Sequence, residues 1–340
     1  MTPASSCSNI GENNMENKFI SVVVYLHNDA GHIQGFMDMI ITVLDESFSK
    51  YEIICVDDAS SDDTSDSLKK YAARIGGGSG QTGAGSGGMI SIVHMGFYQG
   101  LEASMNAGRD LAIGDFVYEF DHIFADYPAS LIRDIYDRMQ EGYDVVAARD
   151  LGYARFTSGL FYKLFNRYSH SPNSIGPETF RIISRRAINR IKSMGIHIPY
   201  RKAIYSNCGL NTTVVSYTPD RASAADIRRH IKNKNFGERS GLALDSFIYF
   251  TDIMEKISFI VSAVFLILSL GAMVYAVTDH FLGSDISSGW PSLMCLVSLG
   301  FFGVFTLLTI ILKYLSVMLD LVFRQQRYMV AGIDKLTDCR

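Results

Sequence analysis

The side chains best suited to chemistry are carboxylates that follow short apolar runs. Tyr51 to Val56 is such a run, and it ends in Asp57 and Asp58. Phe116 to Phe120 ends at Asp121, with Glu119 two residues earlier and therefore on the same face of a strand. Phe19 to Leu26 leads into His27, Asn28 and Asp29. A carboxylate or amide so placed accepts hydrogen bonds from a base or ribose, and two carboxylates together hold a divalent cation through oxygen. Arg149, just beyond the run Tyr143 to Ala147, and Arg181 add guanidinium forks that match phosphate oxygens. Arg185, Arg186 and Arg190 have helical spacing, and together with Arg201 they read as solvated surface.

Other chemistries find less support. The glycine-rich stretch Gly76 to Gly88 lacks the Lys-Ser/Thr ending of a phosphate-binding loop, so it reads as a connecting loop. The histidines show no metal-ligand spacing. The five cysteines are scattered with no short paired spacing, which speaks against a zinc site or a disulfide framework. A net charge of -4 excludes a general nucleic-acid binder.

The elements that must position these groups alternate. Strand-like runs at Phe19 to Leu26, Tyr51 to Val56, Ile90 to Val93, Phe116 to Phe120 and Tyr143 to Ala147 are separated by helical patterns. These helices start near Ile33, after the cap-rich Ser60 to Asp63, at Leu101 and at Pro128. Such alternation predicts an α/β fold with a largely parallel sheet and ligands at the carboxyl ends of its strands. Residues 1–18 read as a disordered lead-in, 19–220 as the α/β domain and 221–256 as basic juxtamembrane helices. Ile257 to Val277 and Ser292 to Leu312 carry no charged side chain, and each reaches ~31 Å as a helix, the thickness of a bilayer core. They predict transmembrane helices at 257–277 and 291–323, with an outside loop at 279–290 and a cytoplasmic tail at 324–340. Basic residues cluster before the first span and after the second and are absent from the loop, which puts both termini and the α/β domain in the cytoplasm.

Taken in order, the motifs resemble the family-2 glycosyltransferases of GT-A fold, specifically the polyprenyl-phosphate glycosyltransferases. The matching words are Val22-Val23-Val24 to Asn28-Asp29, Val56-Asp57-Asp58 to Thr64, Ala107-Gly108 through Gly114-Asp115 to Asp121, Phe180-Arg181-Ile182-Ile183-Ser184-Arg185, Gly289-Trp290-Pro291-Ser292 and Arg327-Tyr328-Met329-Val330. The resemblance implies transfer of a sugar from a nucleotide-sugar donor to a polyprenyl-phosphate lipid acceptor. It implies a multi-pass enzyme of the cytoplasmic (inner) membrane that serves cell-surface polysaccharide biosynthesis, and a homo-oligomer. Asn28, Asp29, Asp57, Asp58, Asp121, Arg149 and Arg181 would bind the donor, with Asp121 as a catalytic carboxylate; Glu178, displaced by one residue from the family's word, is a candidate to take over from the missing carboxylate.

The resemblance also implies a divalent cation, Mg or Mn, on an Asp-x-Asp word. That word is degenerate here, because Asp121-His122-Ile123 lacks the second carboxylate. Glu119 and Asp121 supply the metal ligands on one reading, with Asp126 within reach; on the other, Glu119 faces solvent and no metal binds. Phe97-Tyr98 and Glu178-Thr179 also depart from the family's words. The alternative function is a glycosyltransferase-like membrane scaffold or regulatory partner without turnover. A processive polysaccharide synthase is disfavoured, since its Gln-x-x-Arg-Trp word is absent and the single tryptophan is Trp290.

Overall fold

The computed structural model describes residues 15–76, 88–151, 175–194, 200–219 except 208, 290–323 and 328–337, with isolated helical residues between 159 and 167 and between 260 and 278. The basic segment 221–256 and the loop 279–289 lie outside the described residues.

One sheet of eight strands organises the domain. In chain order these are β1 (Glu16–Leu26), β2 (Phe48–Asp57), β3 (Gly88–Met95), β4 (Phe116–Phe120), β5 (Val145–Asp150), β6 (Phe180–Ser184), β7 (Thr212–Tyr217) and β8 (Val330–Thr337). They lie in the spatial order β7-β5-β6-β4-β1-β2-β3-β8. Strands β1 to β4 pair in parallel, whereas β6 runs antiparallel between β4 and β5, and β8 runs antiparallel along β3. Because β6 is reversed, β5 again points the same way as β4. The ends bearing Asp57, Asp121 and Arg149 therefore share one edge of the sheet.

Both sheet faces are covered, so the central strands are apolar at successive positions; Ile20 to Leu26 is buried throughout. Helices α1 (Ile33–Ser47) and α4 (Ser130–Gln140) pack their apolar stripes on one face with Tyr118, Phe120 and Phe180. Helices α3 (Leu101–Leu111) and α5 (Arg185–Ser193) cover the other, over Val23, Val56 and Val117. Helix α2 (Thr64–Gly76) follows the acidic turn, and the short α6 (Arg201–Asn207) lies over the α3 face. A Cβ at Gly108 would collide with Val23 and Val56, which is why α3 sits so close to the sheet.

Several expectations are revised. Strand β1 begins at Glu16, inside the segment expected to be disordered. The stretch expected as a free tail contains β8, which closes the β3 edge from Ile90↔Thr337 to Met95↔Val330. Arg185 does not face solvent; its guanidinium donates to the carbonyls of Ala112 and Gly114.

The second apolar segment is one continuous helix, α7 (Trp290–Phe323), 34 residues long. Among the described residues no helix is long and apolar enough to cross a membrane.

Candidate active site

The ends of β1 and β2 form one half of the site. Asn28 and Ala59 both hold the left-handed conformation, at φ 54° and 50°, which non-glycine residues adopt where the surroundings hold them. Here the surroundings are hydrogen bonds between the two turns. The Asn28 amide oxygen accepts from Ser61 N at 2.8 Å and Asp62 N at 3.3 Å, while Asn28 N donates to Ser60 Oγ at 3.0 Å. Asp29 N donates to Thr64 Oγ1 at 2.8 Å, and its carboxylate accepts from His27 N at 3.0 Å.

Asp58 is fully buried. Its carboxylate accepts from Gln99 N and Gly100 N, each at 2.8 Å, and from the Tyr25 hydroxyl at 3.1 Å. It thereby anchors the turn that starts α3, where Gly100 takes φ 84°. Asp57 accepts from Ser60 N at 3.1 Å and lies 3.7 Å from His94 Nδ1.

The other half is a buried ionic cluster at the end of β4. Glu119 stands directly opposite Arg181 in the β4–β6 ladder, and both are completely buried. Arg201 and Tyr205, one helical turn apart on α6, reach the same point from above. Glu119 Oε2 accepts from Arg201 at 2.7 Å and from Arg181 at 3.1 Å, while Oε1 accepts from the Tyr205 hydroxyl at 2.9 Å. Asp121 Oδ1 accepts from Arg201 at 2.8 Å and Oδ2 from Arg181 at 2.9 Å. Arg201 also holds Glu102 of α3 at 2.8 Å, Arg181 lies 3.3 Å from Glu178, and Arg109 donates to Tyr205 at 2.8 Å. Helix α3 thus joins the halves, with Asp58 at its start and Glu102 in its first turn.

The charges in this cluster hold one another ionised. Burial alone would raise the Asp121 carboxyl, but Arg181, Arg201 and Lys202 beside it keep it well below the usual carboxylate range. Burial would lower Arg181 and Arg201, and the surrounding carboxylates raise both instead. The Tyr205 hydroxyl is pushed up by burial and by Glu119, so it remains a donor.

Every expected site residue lies on this edge of the sheet, but the groups are differently engaged. Asp121, Glu119, Glu178 and Arg181 come together; the Arg181 guanidinium faces acids, not open space. Arg149, at the end of β5, lies against Gly176, where a Cβ would come within 2.7 Å of its guanidinium. Asp126 accepts from Tyr217 at 2.8 Å, away from the Asp121 cluster. Arg201, read from sequence as solvated, is wholly buried. Glu102, Arg109 and Tyr205 carried no signal in the sequence beyond their helical spacing. A shallow concavity between α1 and α4, lined by Asp38, Thr42, Ser130 and Arg133, lies at the opposite end of the sheet, where Arg133 meets Glu16.

The resemblance places a divalent cation on Asp121, with Glu119 as its candidate partner. The donor set does not fit one. All four oxygens of these carboxylates already accept from guanidinium or hydroxyl donors, and a cation would sit directly against two fixed positive charges. Glu119 is turned inward, not to solvent. Among the described residues no group of three or more His, Cys, Asp or Glu is arranged to hold a metal.

The architecture is a largely parallel sheet with acidic turns at its carboxyl edge, and the comparisons with known proteins supply the family. Residues 21–193 match the family model described as glycosyl transferase family 2, and the chain belongs to that family. It is a glycosyltransferase of GT-A type fold. An uncharacterized glycosyltransferase of Synechocystis is 26% identical over 325 residues, covering 92% of this chain and 95% of the relative. A prophage bactoprenol glucosyl transferase homolog of Escherichia coli is 26% identical over 292 residues, 84% of this chain and 88% of the relative. Among solved structures, a mannosyltransferase of Pyrobaculum calidifontis in complex with GDP-Man and Mn2+ aligns over 93% of this chain and 90% of its own, at 16% identity and a TM-score of 0.44.

Proposed function

We propose that this glycosyltransferase moves a sugar from a nucleotide-sugar to a polyprenyl phosphate at the cytoplasmic face of a membrane. The observation that carries the reading is the connection between the apolar helix and the acidic turn. Helix α7 leads through Met329 into β8. Gln99, whose backbone N–H is held by Asp58, donates from its side chain to Met329 O at 2.7 Å and accepts from Met329 N at 2.8 Å. Gln99 thus ties the acidic turn to Met329, just before β8, and the apolar helix precedes that strand in the chain, an order that suits an acceptor phosphate at a membrane surface.

Several features support membrane insertion. Helix α7 exposes Phe301, Phe302, Val304 and Phe305 along one broad face, and a wide apolar face belongs in hydrocarbon or against a core. Phe265 packs directly on Gly303, the close small-residue contact that membrane helices use. A helix of 34 residues is ~51 Å long, and a second apolar segment before it in the chain would complete a hairpin. Residues 257–277 supply it. Such a hairpin would return the chain to the side it started from, the cytoplasm by the distribution of basic residues.

In this reading Asn28, Asp29, Asp57 and Asp58 shape and line the nucleotide edge, while Asp121, Glu178 and Arg149 border the diphosphate. The acceptor phosphate is already ionised, so a strong general base is not needed. Bactoprenol glucosyl transferases among the relatives support the lipid acceptor. Membranes carrying the protein, incubated with a panel of labelled nucleotide-sugars and polyprenyl phosphate, should yield labelled lipid extractable into organic solvent. No labelled lipid from any donor, with no nucleotide binding, would overturn the reading. The saturated Glu119–Asp121 cluster favours a second one, a scaffold without turnover, which the same assay recognises by nucleotide binding with no lipid product.

A further inference from the structure

We infer that this chain takes its nucleotide-sugar without a divalent cation, because Arg181 and Arg201 occupy the carboxylates that would hold one, and that Lys202 and Arg149 meet the diphosphate. The inference rests on the nucleotide-sugar reading above and adds which charges hold the donor. It begins with a count of charges. Glu102, Glu119, Asp121 and Glu178 face Arg109, Arg181 and Arg201 through contacts of 2.7–3.9 Å. Four carboxylates against three guanidinia leave a single negative charge shared over the whole cluster.

A cluster with one net negative charge and its Glu119 and Asp121 oxygens already taken offers a dication little electrostatic gain, and binding one would mean pulling a guanidinium off buried oxygens. A diphosphate still needs positive charge near it. Arg181 and Arg201 are buried behind their acids and do not reach it. Two cations remain at the rim. Lys202 is half-buried at the second position of α6, and its Nζ has one hydrogen bond, to the carbonyl oxygen of Glu178 at 3.3 Å. Arg149 is half-buried at the end of β5 and makes no ion pair among the described residues. Its Nε is enclosed and has no hydrogen-bond partner.

Both cations border the same short segment before β6: Arg149 lies against Gly176, and Lys202 bonds Glu178. That segment abuts Asp121 through the Glu178–Arg181 and Arg181–Asp121 contacts. A side chain at 176 would have to shift the Arg149 guanidinium. The rim thus presents two positive charges flanking a narrow strip at the carboxyl edge of the sheet. Phosphate oxygens seat against such charges through charge-assisted hydrogen bonds.

The test uses the full-length protein in detergent, with UDP and GDP as probes titrated in EDTA, Mg2+ or Mn2+, and Mn2+ titrated alone and followed by its paramagnetic resonance. Nucleotide affinity should agree within about twofold across the three conditions, and Mn2+ alone should show no saturable site. K202M and R149M should each weaken the better nucleotide about tenfold with the melting temperature unchanged, and Mn2+ should not restore binding. Tightening of tenfold or more by Mn2+, or a saturable Mn2+ site lost in D121N, would overturn the inference. So would unaltered nucleotide affinity in both rim variants. If neither nucleotide binds and Mn2+ is likewise unbound, the donor reading fails and takes the Lys202–Arg149 assignment with it, while the exclusion of metal from Asp121 stands.

Discussion

Asp58 and Asp121 are the same residue type at the same edge of one sheet, and they are stabilised by opposite means. Asp58 is held by main-chain N–H groups from the turn before α3 and by one tyrosine hydroxyl. Asp121 is held by guanidinia that arrive from β6 and α6, 60 and 80 residues further along the chain. Backbone donors orient a carboxylate without neutralising it, so the acidic turn keeps its negative charge. Guanidinia both orient and neutralise, so the β4 end keeps little of the net charge that would attract a cation. Two aspartates thus separate into a shaping group and a counter-ion.

The comparison breaks most severely at Arg201. Arg201→Met strands Glu102, Glu119 and Asp121 in a buried site. It should cost ~3–5 kcal/mol, read as a shift in the denaturant or thermal midpoint, because an unpaired buried charge costs more than the pair contributed. Asp58→Asn tests the other half. The amide keeps the shape but gives up charge-assisted acceptance, so a smaller loss of ~1.5–3 kcal/mol is expected, with faster hydrogen exchange at Gln99 and Gly100. If the two variants cost the same, the distinction between backbone and guanidinium support is wrong.

Acid sharpens the contrast most gently. The folded-state Asp121 carboxyl lies below its unfolded value of ~3.9, so the stability it contributes is complete above that pH and declines as pH falls toward the depressed folded value. A melting temperature flat from neutral down to about pH 5 and falling below ~4, with a shallower fall in D121N, is the expected profile. An equal acid slope in both proteins would remove Asp121 from the account.

The acidic turn was legible in sequence because everything that makes it is local. A buried strand, two carboxylates and a capped helix follow one another within some twenty residues, from Tyr51 to Leu68. The ionic cluster was not legible. Arg201 on a short helix looks like any solvated arginine until the sheet brings Glu119 beneath it, and no local pattern distinguishes the two cases. Strand β8 was hidden for a related reason. Asp334 and Lys335 give it the polar look of a tail, yet charged side chains are what an exposed sheet edge commonly carries. Strand β6 was masked by Arg181 in the middle of an otherwise apolar run, a charge tolerated only because Glu119 faces it across the ladder.

The late position of β8 has a consequence for how the protein is made. Ile90 bonds to Thr337 across 247 residues, so the β3 edge cannot be paired with β8 until those residues have been translated. At ribosomal rates of ~5–20 residues per second, that edge stands open for ~12–50 s, bare to any other extended strand. Helix α7 emerges before β8, so the sheet is sealed only after the apolar segment has left the ribosome. Completion of the transferase domain is therefore timed by the helix that precedes its last strand.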